Sequence, residues 1–149
     1  MKAQNWIIRP LQESDVPDVR ALIETGLAEH WGVYDASRNP DLNNLMDAYA
    51  VADFLVARGN GRVIGCGALV PAGDGTGQIV RMSVAREMRR QGVATAILQA
   101  LITCARDRGL RRVVLETTET WSDARGFYEA NGFRLTHCAD GDAYYILEL

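Results

Sequence analysis

Residues 78–98 read QIVRMSVAREMRRQGVATAIL. Gln78 to Val84 is apolar and β-branched enough for a strand. From Gly92 to Arg108 the residues Val93, Ile97, Leu98, Leu101, Ile102 and Ala105 recur at the spacing of one helical face, and Gly109 fits the end of that helix. Between the two lies a short basic loop with Arg86, Arg89 and Arg90. A helix opening there leaves its first N–H groups without internal partners, and the helix dipole adds partial positive charge at the same end. Gly92 lets a ligand approach the backbone with no Cβ in the way. Strand, loop and helix start together form a cradle suited to a pyrophosphate, the three arginines serving as further phosphate contacts. Local physics alone serves a solvated basic loop ahead of an ordinary helix equally well.

Upstream, Asn5 to Arg9 reads as a first strand ended by Pro10. Glu13, Ser14 and Asp15 start a helix whose apolar residues Val16, Val19, Leu22, Ile23 and Leu27 carry it to about Glu29. His30 to Asn39 reads as a loop and Pro40 to Ala50 as a weaker second helix. Phe54 to Arg58 and Val63 to Val70 form a hairpin around Gly59-Asn60-Gly61, because Asn-Gly favours the tight turn. Pro71 to Gly77 is a second turn. Beyond Gly109, Val113 to Thr117 reads as a strand, Ser122 to Asn131 as a helix capped by Gly132, and Phe133 to Cys138 as a strand. Tyr144 to Leu149 is the last strand, after the turn Asp140-Gly141-Asp142. The order β-α-α-β-β-β-α-β-α-β-β predicts an α/β (α+β) fold, with antiparallel hairpins first and a βαβ crossover in the second half. With no repeat and no linker, residues 1–149 read as a single domain.

The composition agrees with that class. The chain has 149 residues, 48% of them hydrophobic and 23% charged, which suits one soluble globular domain. No apolar run spans a bilayer, and MKAQNWIIRP lacks a signal-peptide core, so the expected location is cytoplasmic and no membrane partner is expected. Cys66, Cys104 and Cys138 are odd in number and widely spaced, as buried small hydrophobes in a reducing compartment would be. The net charge of −3 argues against nucleic acid as a partner. Residues 1–60 hold nine acids against five bases, and residues 61–149 hold ten against eleven. A basic loop within an acidic chain points to a small anionic ligand. No metal-ligand spacing occurs, so no metal is expected.

A P-loop is excluded, since it needs a lysine after its glycines and Lys2 is the lone lysine. GNGRVIG and GCGALV sit in the hairpin and open no helix, so they are turn and strand glycines. RRQGVA, Arg89 to Ala94, resembles the Q/R-x-x-G-x-G/A signature of the GNAT superfamily of acyl-CoA N-acyltransferases. LETTETWSDARGFYEANGF resembles the second motif of that family through Ala124, Phe127, Tyr128, Gly132 and Phe133. The element order coincides with that fold, so the resemblance covers nearly the whole chain. It implies a mixed, mostly antiparallel sheet splayed at a cofactor cleft and flanked by about four helices.

The resemblance also implies a ligand and its pose. Acetyl-CoA would be the acyl-donor cosubstrate, its pantetheine arm paired with the backbone of Met82 and Val84 beside the parallel strand Val113 to Thr117. The amides of Arg90, Gln91, Gly92, Val93 and Ala94 would hold the pyrophosphate, with Arg89 as a charged contact to the phosphates and Thr95 as a hydroxyl donor. The Met82 N–H would stabilise the oxyanion, and Tyr128 would act as general acid toward the departing thiolate. Two positions depart from the family pattern. Gln78 stands where some members carry a basic glutamate, which leaves the base unassigned between Glu116 and water. Trp121 stands where many carry an asparagine that contacts the cofactor arm. The acceptor, a small-molecule or peptide amine, would meet Trp31, Tyr34, Asp35, Trp121 and Tyr144, an acidic and aromatic set suited to a cation. Homodimers are frequent in the family. A non-catalytic acyl-CoA-binding or regulatory module of the same fold is the alternative reading.

Overall fold

The computed structural model describes residues 5–149. Seven strands form one sheet: β1 (Trp6–Pro10), β2 (Asp53–Gly59), β3 (Arg62–Pro71), β4 (Thr76–Val84), β5 (Arg112–Thr118), β6 (Arg134–Ala139) and β7 (Asp142–Glu148). Their order across the sheet is β1-β2-β3-β4-β5-β7-β6. Every neighbouring pair is antiparallel except β4 and β5, which run parallel because a helical crossover joins them. The helices are α1 (Val16–Trp31), α2 (Leu45–Ala48), α3 (Val93–Asp107) and α4 (Ser122–Ala130).

Each sheet face buries its own core. Val19 and Ile23 of α1, with Leu42 and Leu45, pack on Phe54, Val56, Cys66 and Ala68. On the other face Val93, Ile97, Leu98 and Leu101 of α3 pack on Leu55, Ala57, Ile64 and Leu69, and Tyr128 and Tyr145 extend that core toward α4. Strand alternation divides β2 between the two layers, as a period of two requires. The glycines of GCGALV explain how α3 lies so close. A Cβ on Gly65 would stand 2.9 Å from side-chain atoms of both Val93 and Ile97, and one on Gly67 would overlap the Met82 sulfur.

The hairpins form as the sequence predicts. Asn60 and Gly61 join β2 to β3 with φ of 56° and 74°, and Asp140 and Gly141 join β6 to β7 with φ of 53° and 84°. Both are two-residue turns with positive φ at each central position, the geometry that matches strand twist.

Four boundaries differ from expectation. Helix α1 runs on to Trp31 and ends at Gly32, φ 79°, so His30 and Trp31 lie on a helix instead of a loop. The expected helix Pro40 to Ala50 is a 3-10 turn, Pro40–Asn43, followed by one short turn of α2, with Asn44 out of helical geometry between them. Strand β4 starts two residues early at Thr76, and β7 starts at Asp142. Cys138 is exposed, whereas Cys66 is buried as expected. Among the described residues, no helix is long and apolar enough to cross a membrane.

Candidate active site

The parallel ladder between β4 and β5 has partners at Thr76↔Arg112, Gly77↔Val113 and Gln78↔Val114, and then stops. Beyond that point β5 stays paired with β7 as far as Thr118, and β4 stays with β3 as far as Val84. The two strands therefore diverge. The cause lies in β4, where the ladder to β3 jumps from Val80↔Ala68 to Ser83↔Cys66. Arg81 and Met82 together oppose Gly67, a bulge that bends the strand away from β5. Arg81 takes φ 57°, a left-handed value rare for a residue with a Cβ.

Side chains hold the bulge in place. The Arg81 guanidinium donates to both oxygens of Asp41, at 2.9 and 2.6 Å, and the Tyr49 hydroxyl donates to the same carboxylate at 2.6 Å. The Cys66 thiol donates to the Arg81 carbonyl at 3.3 Å. Burial works to raise the Asp41 pKa, but the hydrogen bonds from Arg81 and Tyr49 outweigh it and the carboxyl sits below its ordinary value. Burial, followed by the Asp41 contact, pushes Tyr49 up to about 12.

The divergence opens a cleft of about 470 Å³. Its walls are residues 79–84 of β4, residues 116–118 of β5, the last turns of α1, and Trp121, Ala124 and Tyr128. One end meets the start of α3. Gly92 has φ 88° and Arg90 φ 62°, and the first backbone bond of the helix runs from the Ala96 N–H to the Gly92 carbonyl at 3.0 Å. The amides of Val93, Ala94 and Thr95, in the first turn of α3, have no intrahelical acceptor and no side-chain cap from Gly92. Open donors at a helix start have the chemistry that attracts an anion.

Tyr128 enters the cleft from α4. The residue is 8% exposed, with the rings of Phe127 and Phe133 set edgewise at 5.1 and 5.8 Å. No described group hydrogen-bonds its hydroxyl, and burial pushes its pKa up to about 12. The opposite mouth faces α1. Trp121 stacks on His30 with centroids 3.9 Å apart and lies 5.4 Å from Trp31, so the end of α1 and the β5–α4 loop meet over the opening. Leu115, Ala143 and Tyr145 belong to the α3 core, so Glu116, Thr118, Asp142 and Tyr144 share the α1 face of the sheet.

Comparison with known proteins fits this geometry. The family model described as "Acetyltransferase (GNAT) family" matches residues 18–133. The chain belongs to the GNAT family of acetyltransferases. An amino-acid acetyltransferase of Mycobacterium tuberculosis is 35% identical over 87% of this chain and 72% of its own length. Human N-acetyltransferase 8B is 31% identical over 71% of this chain and 51% of its own, so the chain spans about half the length of that relative. Among solved structures, a GNAT-family acetyltransferase from Staphylococcus aureus Mu50 superposes with a TM-score of 0.88 at 20% identity, over 97% of this chain and 99% of its own. The PaiA N-acetyltransferase of Thermoplasma acidophilum, solved with coenzyme A, superposes at 0.83 with 17% identity, over 98% of this chain and 100% of its own. Both structures share the fold of this chain over nearly its whole length.

Within that GNAT frame, the residues singled out from sequence divide into three groups. Met82, Val84, Tyr128, Trp31 and Trp121 all line the cleft, whereas Arg90 to Thr95 follow the lining residue Arg89 in the chain and are not among its walls. Arg89 lines the cleft but is already engaged. Its guanidinium donates to Glu29 at 2.8 Å and to the Val84 carbonyl at 3.2 Å, tying α1 to the loop. Arg86 and Arg90 have no carboxylate partner among the described residues. Tyr34 and Asp35 lie outside the cleft lining. With α1 extended to Trp31, the chain turns away, Tyr34 packs into the α1 core, and Asp35 caps the turn at Ser37 through bonds of 2.6 and 3.0 Å. Tyr144 lies just outside the cleft, stacked on His137 at 4.4 Å, with a hydrogen bond to Glu116 leading the causes that raise its pKa. Gln78 sits at the fork itself, outside the lining. Sequence reasoning missed Asp142 and Arg81. The β5–β7 register puts Asp142 opposite Thr118, a signal available only once strand pairing is known.

Proposed function

We propose that this chain is an acetyl-CoA-dependent N-acetyltransferase in which an amine attacks the thioester directly within a ternary complex. One observation carries the reading: an opened sheet edge runs to Arg89, just ahead of the uncapped first-turn amides of Val93 to Thr95, with Tyr128 beside the path. A pantetheine arm carries amide groups, so it can satisfy the β4 backbone left unpaired beyond Gln78 while its pyrophosphate takes the open N–H groups. Binding of acetyl-CoA rests on that complementarity, and the PaiA complex with coenzyme A supports it.

Attack by a neutral amine builds negative charge on the thioester oxygen. The Met82 N–H, at the bulge and outside the ladder, is the donor assigned to it. As the C–S bond breaks, the Tyr128 hydroxyl donates to the departing sulfur. With its pKa near 12, Tyr128 keeps its proton throughout the neutral range. Full transfer to a thiolate with pKa ~8.5 would be uphill by roughly 5 kcal/mol, so the hydroxyl stabilises the leaving sulfur by hydrogen bonding. The proton lost by the attacking nitrogen passes to water, and water protonates the released thiolate.

Tyr128→Phe keeps the ring and removes only the donor. Turnover should fall by about 100-fold while the dissociation constant for CoA stays within about twofold, as expected for a group acting on the transition state. Thiol release and calorimetry measure the two. Equal loss in both would remove Tyr128 from the chemistry, and absence of any CoA binding would remove the function itself.

A further inference from the structure

The acceptor mouth has an uneven charge inventory. Two guanidinium groups line the cleft, those of Arg81 and Arg89, and each is matched by a carboxylate, Asp41 and Glu29 respectively. Glu116 and Asp142 also line it, and neither has a cationic partner among the described residues. They stand on the same face of adjacent strands, separated in register by one alternation. Above them lie the stacked His30 and Trp121 rings and the tilted Trp31 ring, which is 59% exposed. Aromatic faces and unneutralised carboxylates both attract cations, and aromatic faces also bind flat apolar bodies. A ligand carboxylate would meet repulsion from Glu116 and Asp142 and find no free guanidinium to offset it.

We infer that the acceptor is a cationic amine on a flat or aromatic body that carries no carboxylate, held by Glu116 and Asp142 beneath the His30–Trp121–Trp31 cluster. This rests on the acetyltransferase reading above and narrows it. Free α-amino acids are the class that the mouth rejects, although a 35% identical relative is an amino-acid acetyltransferase.

Three probes of one shape separate the possibilities: 2-phenylethylamine, L-phenylalanine amide and L-phenylalanine. With saturating acetyl-CoA, kcat/KM for the first two should exceed that for L-phenylalanine by at least about 30-fold. Tryptophan fluorescence of the CoA-bound protein gives the same comparison without turnover, because Trp31 and Trp121 lie at the mouth. Glu116→Gln and Asp142→Asn should each weaken 2-phenylethylamine by about tenfold or more and leave CoA affinity by calorimetry unchanged. Preference for L-phenylalanine, or parity among the three in both assays, overturns the inference while leaving the acetyltransferase reading intact. Failure to bind CoA at all overturns both.

Discussion

Arg81 shows how one residue shapes the cleft. Holding a Cβ-bearing residue at φ 57° costs about 1–2 kcal/mol. The bidentate pair with Asp41 and the thiol bond from Cys66 offset that cost, and both vanish if β4 runs straight. Asp41→Asn keeps the side-chain size but removes the charge. The variant should lose about 1–3 kcal/mol in urea unfolding, and its KM for acetyl-CoA should rise because the fork narrows. Unchanged stability and KM would mean that the bulge holds itself. Nothing in the sequence flagged this position, because VRMSV reads as an unbroken strand and no glycine or asparagine marks the left-handed residue. Tyr34 and Asp35 lie outside the cleft lining for a related reason. They follow the aromatic Trp31 in sequence, but the partners brought together in space, Glu116 and Asp142, belong to different strands and meet only through register.

At the scale of elements, the features written in local chemistry were legible. The α3 face, the Asn60-Gly61 and Asp140-Gly141 turns and the open start at Gly92 each need only neighbouring residues. The length of α1 was not legible, since polar His30 ends the apolar pattern at Leu27 while the actual stop is the left-handed Gly32, whose N–H reaches the Ala28 carbonyl at 2.8 Å. That extra turn carries His30 and Trp31 across to Trp121. The seating of α3 on β3 has its own test. In Gly65→Ala the new methyl would crowd Val93 and Ile97, each 2.9 Å away, and the Ser83 carbonyl at 3.3 Å. Overpacking of this kind costs about 1–3 kcal/mol. Because Val93 is the first residue of α3, relief comes by lifting the end that presents the amides, so calorimetry should show weaker CoA binding together with the lower urea midpoint. Loss of stability with full CoA affinity would show that the helix start moves independently of β3.

Across the whole molecule, acid sensitivity concentrates at a point far from the cleft. Asp15 is fully buried where β1, β2 and the start of α1 converge. Its carboxylate accepts two bonds from Arg9 at 2.7 and 2.9 Å, one from Arg58 at 2.9 Å and one from the Gln12 N–H at 2.8 Å. The Arg9 hydrogen bonds, against the opposing effect of burial, hold its pKa below the ordinary value, and Asp41 is lowered as well. A carboxyl depressed in the folded state contributes stability that is complete above its unfolded pKa of ~3.9 and disappears as pH falls through the folded value. Unfolding free energy should therefore stay level from neutrality to about pH 5 and decline below about pH 4. In Asp15→Asn two guanidinium groups lose their shared charge. Both reach solvent in part, so the loss at pH 7 belongs at the lower end of the buried-pair range, about 3 kcal/mol. The variant should also decline less steeply in acid, since its main titrating contributor is gone. Urea titrations of both proteins at pH 7 and pH 3.5 supply the four free energies. If the difference between the proteins is as large at pH 3.5 as at pH 7, Asp15 acts through shape alone and the charge linkage fails.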